Sequence, residues 1–168
     1  QRSEHDLVSS LTRLYGEHPD RISRLKVLLA ARWKDRPQPL KDLDLARDIT
    51  PDWFLSEQMT GYVFYVDRFA GNFKGVLKHL DYLEEMGANY VHFMPCLKPR
   101  PAPNDGGYSV MDYRAIDPRL GTMADFEAVT SAMRKRGMSV CVDLVLNHTA
   151  KEHEWAEKAK AGDKKYQA

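Results

Sequence analysis

Two short stretches hold the side chains best suited to chemistry. The first closes the run Ser139-Val140-Cys141-Val142-Asp143-Leu144-Val145-Leu146-Asn147-His148-Thr149. A mostly apolar run bounded by Gly137 and by polar residues reads as a buried parallel strand. Such strands deliver their chemistry at the carboxyl end, where Asn147 and His148 stand. Asp143 interrupts the run, and a carboxylate there calls for a partner. The second stretch is Asn104-Asp105-Gly106-Gly107-Tyr108. Paired glycines let backbone approach closely. Tyr108 can stack on the apolar face of a sugar, and Asp105 can accept hydroxyl hydrogen bonds. Each residue also has a purely structural use: a packing tyrosine, an Asx turn at Asp105, a turn-capping His148.

These residues need elements to position them. Tyr62-Val63-Phe64-Tyr65-Val66 reads as a strand by β-propensity, with Asp67, Arg68 and Phe69 after it. Phe73, Leu77, Leu80, Leu83 and Met86 predict one helix over 73–86, stopped by Gly87. Tyr90-Val91-His92-Phe93-Met94 reads as a second strand, ended by Pro95. Roughly two dozen Pro-, Gly- and Asp-rich residues follow as a loop, of a length that is usually functional. Thr122 and Asp125 form a capping-box pattern for a helix over 123–136 with Phe126, Val129 and Met133 inward. The strand from Ser139 comes next, then a polar helix over about 152–161. Alternation of β and α predicts parallel strands. The Asp105–Tyr108 loop and the Asn147-His148 end then share one carboxyl-terminal face and one pocket.

Before residue 50 the character is different. Leu7, Leu11 and Leu14 mark one amphipathic helix over 4–15. Ile22, Leu25, Leu29 and Trp33 mark another over 20–34, with Asp20 as N-cap. Pro37, Pro39 and Pro51 among charges read as a linker over 35–52, with at most a helical turn around Leu40–Leu45. A boundary is expected near Thr50, giving a helical segment over 1–50 and an α/β part over 51–168.

Of the 168 residues 43% are hydrophobic and 29% charged, which is ordinary globular composition. A net charge of +1 points to no nucleic-acid or anionic-membrane partner. No apolar run approaches membrane-spanning length, and residues 1–30 do not resemble a signal peptide, so a cytoplasmic location is expected. The chain opens at Gln1, which is expected not to be the native start. Cys96 and Cys141 read as buried free thiols. The spacing of His148, Glu152 and His153 misses both zinc-protease patterns, and Gly71, Gly75 and Gly87 form no dinucleotide fingerprint.

With these motifs in order, the run from Gly61 to Trp155 resembles the catalytic domain of the α-amylase family of glycoside hydrolases. The motifs that carry the likeness are Gly-Tyr-Ser-Val-Met-Asp-Tyr-Arg-Ala-Ile-Asp-Pro-Arg-Leu-Gly-Thr (107–122) and Asp-Leu-Val-Leu-Asn-His (143–148). Within the family the chain is most similar to the amylosucrase and sucrose-hydrolase group. That likeness lies in Pro-Asp-Trp-Phe (51–54), Tyr-Val-Asp-Arg-Phe-Ala-Gly (65–71), Asp-Gly-Gly-Tyr (105–108) and Asn-His-Thr through His-Glu-Trp (147–155). Ser109 after the Gly-Tyr pair, where the family often has Asp, fits the same group, as does a helical N-terminal segment.

The resemblance implies a fold and roles. The fold is α/β: the first three β/α units of a (β/α)8 TIM barrel, preceded by a small all-helical segment. Tyr108 would stack under the glucosyl ring in the −1 subsite, and His148 would hydrogen-bond a ring hydroxyl. Asp105 would hold a glucosyl hydroxyl at the pocket bottom and pair with a later arginine. Asp143 and Asn147 would support the site. Asn147 is a calcium ligand in many α-amylases, but neither metal nor cofactor is expected in the amylosucrase-like group. Retaining glycosidases need two carboxyl groups roughly 5 Å apart. In this family they, and a stabilising aspartate, follow strands four, five and seven, so all three are expected downstream of residue 168. The implied activity is sucrose cleavage, with glucosyl transfer to an α-1,4-glucan or to water. Two rival expectations are another α-amylase-family α-glucosidase and a non-catalytic sugar-binding module.

Overall fold

The computed structural model describes residues 2–167. They fall into two compact units that meet between Phe54 and Leu55.

The first unit is helical. Helices α1 (Arg2–Tyr15) and α2 (Pro19–Asp35) are separated by a turn at Gly16. Leu7 and Leu11 line a groove with Ile22, Leu25 and Leu29, which gives the two amphipathic stripes a common seam. Lys26 and Glu4 pair across it at 2.7 Å. The N-cap of α2 is His18 rather than Asp20, because Pro19 takes the first helical position, where a missing N–H costs nothing. The expected linker is instead a third helix, α3 (Gln38–Ile49). Pro37 caps it and Pro39 lies in its first turn, so neither proline removes an intrahelical bond. A two-pronged Arg36–Asp44 contact at 2.6 and 2.8 Å pins the α2–α3 turn. Arg47 lies 3.9 Å over the Trp53 ring. Neither α2 nor α3 has a buried residue.

The second unit is built on three parallel strands, β1 (Gly61–Phe64), β2 (Tyr90–Phe93) and β5 (Ser139–Val142), in the order β1-β2-β5. The register sets Phe64 beside Phe93 and Phe93 beside Val142, so the three carboxyl ends are level. Phe64, Val91 and Phe93 pack with Phe73, Val76 and Leu83 and with Val129 and Met133 from α7 (Met123–Lys135). The capping box at the start of α7 is complete: Thr122 accepts from the Asp125 N–H, and the Asp125 carboxylate accepts from the Thr122 N–H at 2.9 Å. A last helix, α8 (Glu154–Lys160), is capped by His153.

Several expected elements differ. The first strand stops at Phe64, and Val66–Ala70 forms a one-turn helix, α4. The helix expected over 73–86 is two helices, α5 (Phe73–Lys78) and α6 (Leu80–Glu85). They part at His79, whose ring Nδ1 is bonded to the Gly75 carbonyl at 2.9 Å while its backbone leaves helical values. The buried stripe is Phe73, Val76, Leu80 and Leu83, and Met86 is exposed. The long loop contains an antiparallel pair, β3 (Leu97–Pro99) and β4 (Val110–Ile116), with register shifts on both sides of Lys98. Those shifts scramble the alternation by which a strand is read from sequence. The strand from Ser139 ends at Val142, because its ladder partner β2 ends at Phe93 ahead of Pro95. Residues 143–149 continue outside the sheet, with Leu144 and Leu146 63% and 77% exposed.

Candidate functional site

Asp143 is the first residue beyond β5, and it is only half-buried rather than sealed inside a strand. It has the partner its position calls for, since its Oδ1 lies 3.0 Å from Nε2 of His92 on β2. Pairing of His92 with Cys141 in the ladder brings the two side chains to one strand end. The second carboxylate oxygen accepts a bond from the Tyr108 hydroxyl at 3.2 Å. An ionised carboxylate only accepts, so His92 carries a proton on Nε2 and Tyr108 donates. Burial first, then the Asp143 charge, raises the Tyr108 pKa, which keeps the phenol protonated in this role. The same two causes push the Cys96 thiol up to about 11. Cys96 is therefore an inert neutral thiol beneath the site, not a nucleophile.

The turn that carries Tyr108 is fixed by close approaches. Asp105–Gly107 makes a single 3-10 turn, and Asp105 itself has a φ of 53°. A Cβ at Gly107 would lie 2.9 Å from the Pro95 side chain, and one at Gly106 would lie 3.0 Å from the Tyr65 hydroxyl. Both glycines also have positive φ, so only glycine suits the pair. Asn104 and Ser109 close the turn through a backbone bond at 3.3 Å.

Residues 145–148, which have lost their ladder, are held by Tyr113 of β4. Its hydroxyl sits against the carbonyls of Val145 and His148, 3.1 Å from the latter. Ala150 N–H donates to the Val110 carbonyl at 2.8 Å and ties the same segment to the hairpin. The structure thus brings Tyr108 and Asp143 into contact and puts Asp105 on the same turn. The side chains of Asn147 and His148 are exposed. Among the described residues, no hydrogen bond links the side chains of Asp105, Asn147 or His148 to the Asp143 cluster. A cleft of about 700 Å³ is lined by Tyr113, Leu144, Leu146, Thr149, Glu152 and Trp155 among others, so it adjoins the 143–149 segment, but none of Asp105, Tyr108, Asp143 or His148 lines it. Among the described residues, no three His, Cys, Asp or Glu side chains converge as a metal-binding group.

His92 and Tyr113 are the site members that sequence reasoning passed over. A histidine alternating with Val91 and Phe93 in a buried strand is the one available signal for the first. Tyr113 gave none beyond its place in the 107–122 motif.

Residues 41–168 match the model of the alpha amylase catalytic domain. The chain is 43% identical over 98 residues to an oligo-1,6-glucosidase of Parageobacillus thermoglucosidasius, which is 57% of this chain and 17% of that protein. A solved trehalose-6-phosphate hydrolase of Bacillus licheniformis superposes with a TM-score of 0.61 at 32% identity, covering 68% of this chain and 21% of that one. The trehalulose synthase MutB of Pseudomonas mesoacidophila MX-45 superposes with a TM-score of 0.59 at 32% identity, covering 66% and 21%. The chain therefore spans about a fifth of the length of these relatives.

Proposed function

The chain belongs to the alpha-amylase family of catalytic domains, and on that premise we propose that it is the front part of a retaining, α-glucoside-active enzyme of amylosucrase type. In this reading residues 1–50 are a helical N-terminal segment, and 51–168 are the first three β/α units of a (β/α)8 barrel. The observation that carries the proposal is the Tyr108–Asp143 contact at the level carboxyl ends of the parallel strands. It fixes an aromatic face beside a turn bearing the Asp105 carboxylate. Tyr108 stacks on the glucosyl ring, Asp105 and His148 hold its hydroxyls, and Asp143 and Asn147 support them. His92 and Tyr113 join as positioning residues. The nucleophile and the acid/base lie outside these residues, so the 168 residues supply sugar-positioning groups and do not by themselves cleave the sugar.

Sucrose is the favoured donor on the Asp-Gly-Gly-Tyr-Ser sequence at 105–109 and the helical unit before residue 50. A neighbouring MutB variant has been solved in complex with the substrate sucrose. A second reading, an α-glucosidase acting on isomaltose-type sugars, is favoured by the likeness to an oligo-1,6-glucosidase. The proposed location is the cytoplasm, and among the described residues no helix is long and apolar enough to cross a membrane. Product analysis of the complete gene product on sucrose, maltose and isomaltose separates the readings. The amylosucrase reading expects fructose release with a growing α-glucan. Cleavage of isomaltose with no attack on sucrose would replace it with the second reading.

A further inference from the structure

We infer that Arg100 and Glu152 are a positioning pair that fixes the Asp105–Tyr108 turn against the Asn147–His148 segment, so that the sugar contacts proposed above are made together. The inference rests on that reading of the site. Arg100 stands at the base of the turn: its N–H donates to the Ser109 carbonyl at 2.9 Å, and its carbonyl accepts from the Asn104 side chain at 3.4 Å. Glu152 follows the segment that carries Asn147 and His148. The Arg100 guanidinium lies 2.9 Å from Glu152 Oε1, with the two side chains only 27% and 30% exposed.

The geometry of the pair points to positioning rather than to stability. Arg100 Nε and Glu152 Oε2 are shut off from solvent and make no hydrogen bond within the protein. A two-pronged Arg–carboxylate contact would satisfy both. Desolvation without that second bond offsets much of the attraction between the charges, so the pair is a poor source of folding energy. It does supply a further fixed point. The Ala150–Val110 backbone bond and the Tyr113 hydroxyl tie the segment to β4. The Arg100–Glu152 contact ties it to the base of the Asp105–Tyr108 turn as well, and small misplacements of substrate-holding groups cost rate steeply.

The test uses the complete gene product with Arg100→Met, Glu152→Gln, their double variant and Arg100→Lys. The readouts are kcat and KM per folded molecule, on the α-glucoside the unaltered enzyme cleaves, alongside the thermal midpoint. Each of the first two variants is expected to lose about tenfold in kcat/KM, and the double variant no more than the worse single. Arg100→Lys, which keeps the charge, is expected to recover most of the loss. A pair that only stabilised the fold would lower the midpoint and leave kcat and KM per folded molecule unchanged, and that result overturns the inference. Should Arg100→Met fail to fold, Glu152→Gln and Arg100→Lys decide the matter by the same criterion. An unaltered enzyme with no activity on any α-glucoside would remove the proposed function and this inference with it. An active one with unaffected variants would remove this inference alone.

Discussion

Replacing Asp143 by Asn tests the construction of the site at its centre. The carboxylate offers one oxygen to His92 and the other to Tyr108. An amide of the same shape offers one acceptor and one donor, so neither bond keeps its charge assistance and the Tyr108 hydroxyl must turn round to accept. Hydrogen bonds to a charged group contribute about 1.5–3 kcal/mol. The side chains of His92 and Asp143 are 33% and 23% exposed, which places the loss at the lower end, on the order of 1.5 kcal/mol. For a unit of this size that corresponds to a midpoint shift of roughly 3–8 °C. Guanidinium unfolding should show a lower transition midpoint with an unchanged slope. Removing the charge should also bring the Tyr108 phenol back toward its ordinary pKa, visible as an earlier component of the phenolate absorbance that Tyr108→Phe abolishes. An Asn variant as stable as the parent, with Tyr108 titrating as before, would refute the reasoning.

Other perturbations reach the elements beneath the site. Thr122→Ala should cost about 1 kcal/mol by removing one half of the capping box of α7, read as a lower denaturation midpoint. Bonds from Thr122, its backbone N–H first, hold Asp125 below its usual carboxylate range. That contribution is full above the unfolded carboxylate pKa and is lost as pH falls through the folded one, so Asp125→Asn should flatten the acid limb of stability against pH. Cys96 behaves in the opposite sense. Its folded pKa is raised from 9.0 to about 11, so its contribution is full below pH 9.0 and disappears as pH rises toward 11. In the native protein a thiol reagent should label the partly exposed Cys141 well before the buried Cys96.

The sequence was most readable where one local rule acted alone. Phe126, Val129 and Met133 with a Thr122–Asp125 box fixed α7 almost to the residue, and three β-rich runs gave the parallel strands. Legibility failed where tertiary pairing decided the outcome. Val110–Ile116 became a strand by pairing with Leu97–Pro99 through shifted register, among residues whose composition reads as loop. Asp143–His148 left the sheet because β2 had already ended. Pro37 and Pro39 read as breakers, yet stand where a helix tolerates them. At the site, Asp143 announced itself as a charge in need of a partner, but nothing local identified that partner as His92, which is 51 residues away. Arg100 and Glu152 were equally silent, since the meaning of each comes from a distant segment.

The most direct test of the account is Tyr108→Ala in the complete gene product, assayed for kcat/KM on sucrose and isomaltose together with thermal stability. A stacking face under the glucosyl ring predicts a loss on the order of a hundredfold, about 2.7 kcal/mol, on whichever sugar the enzyme cleaves, in a protein that stays folded. A folded Ala variant that keeps the parent's kcat/KM would show that Tyr108 packs the turn and does not touch the sugar.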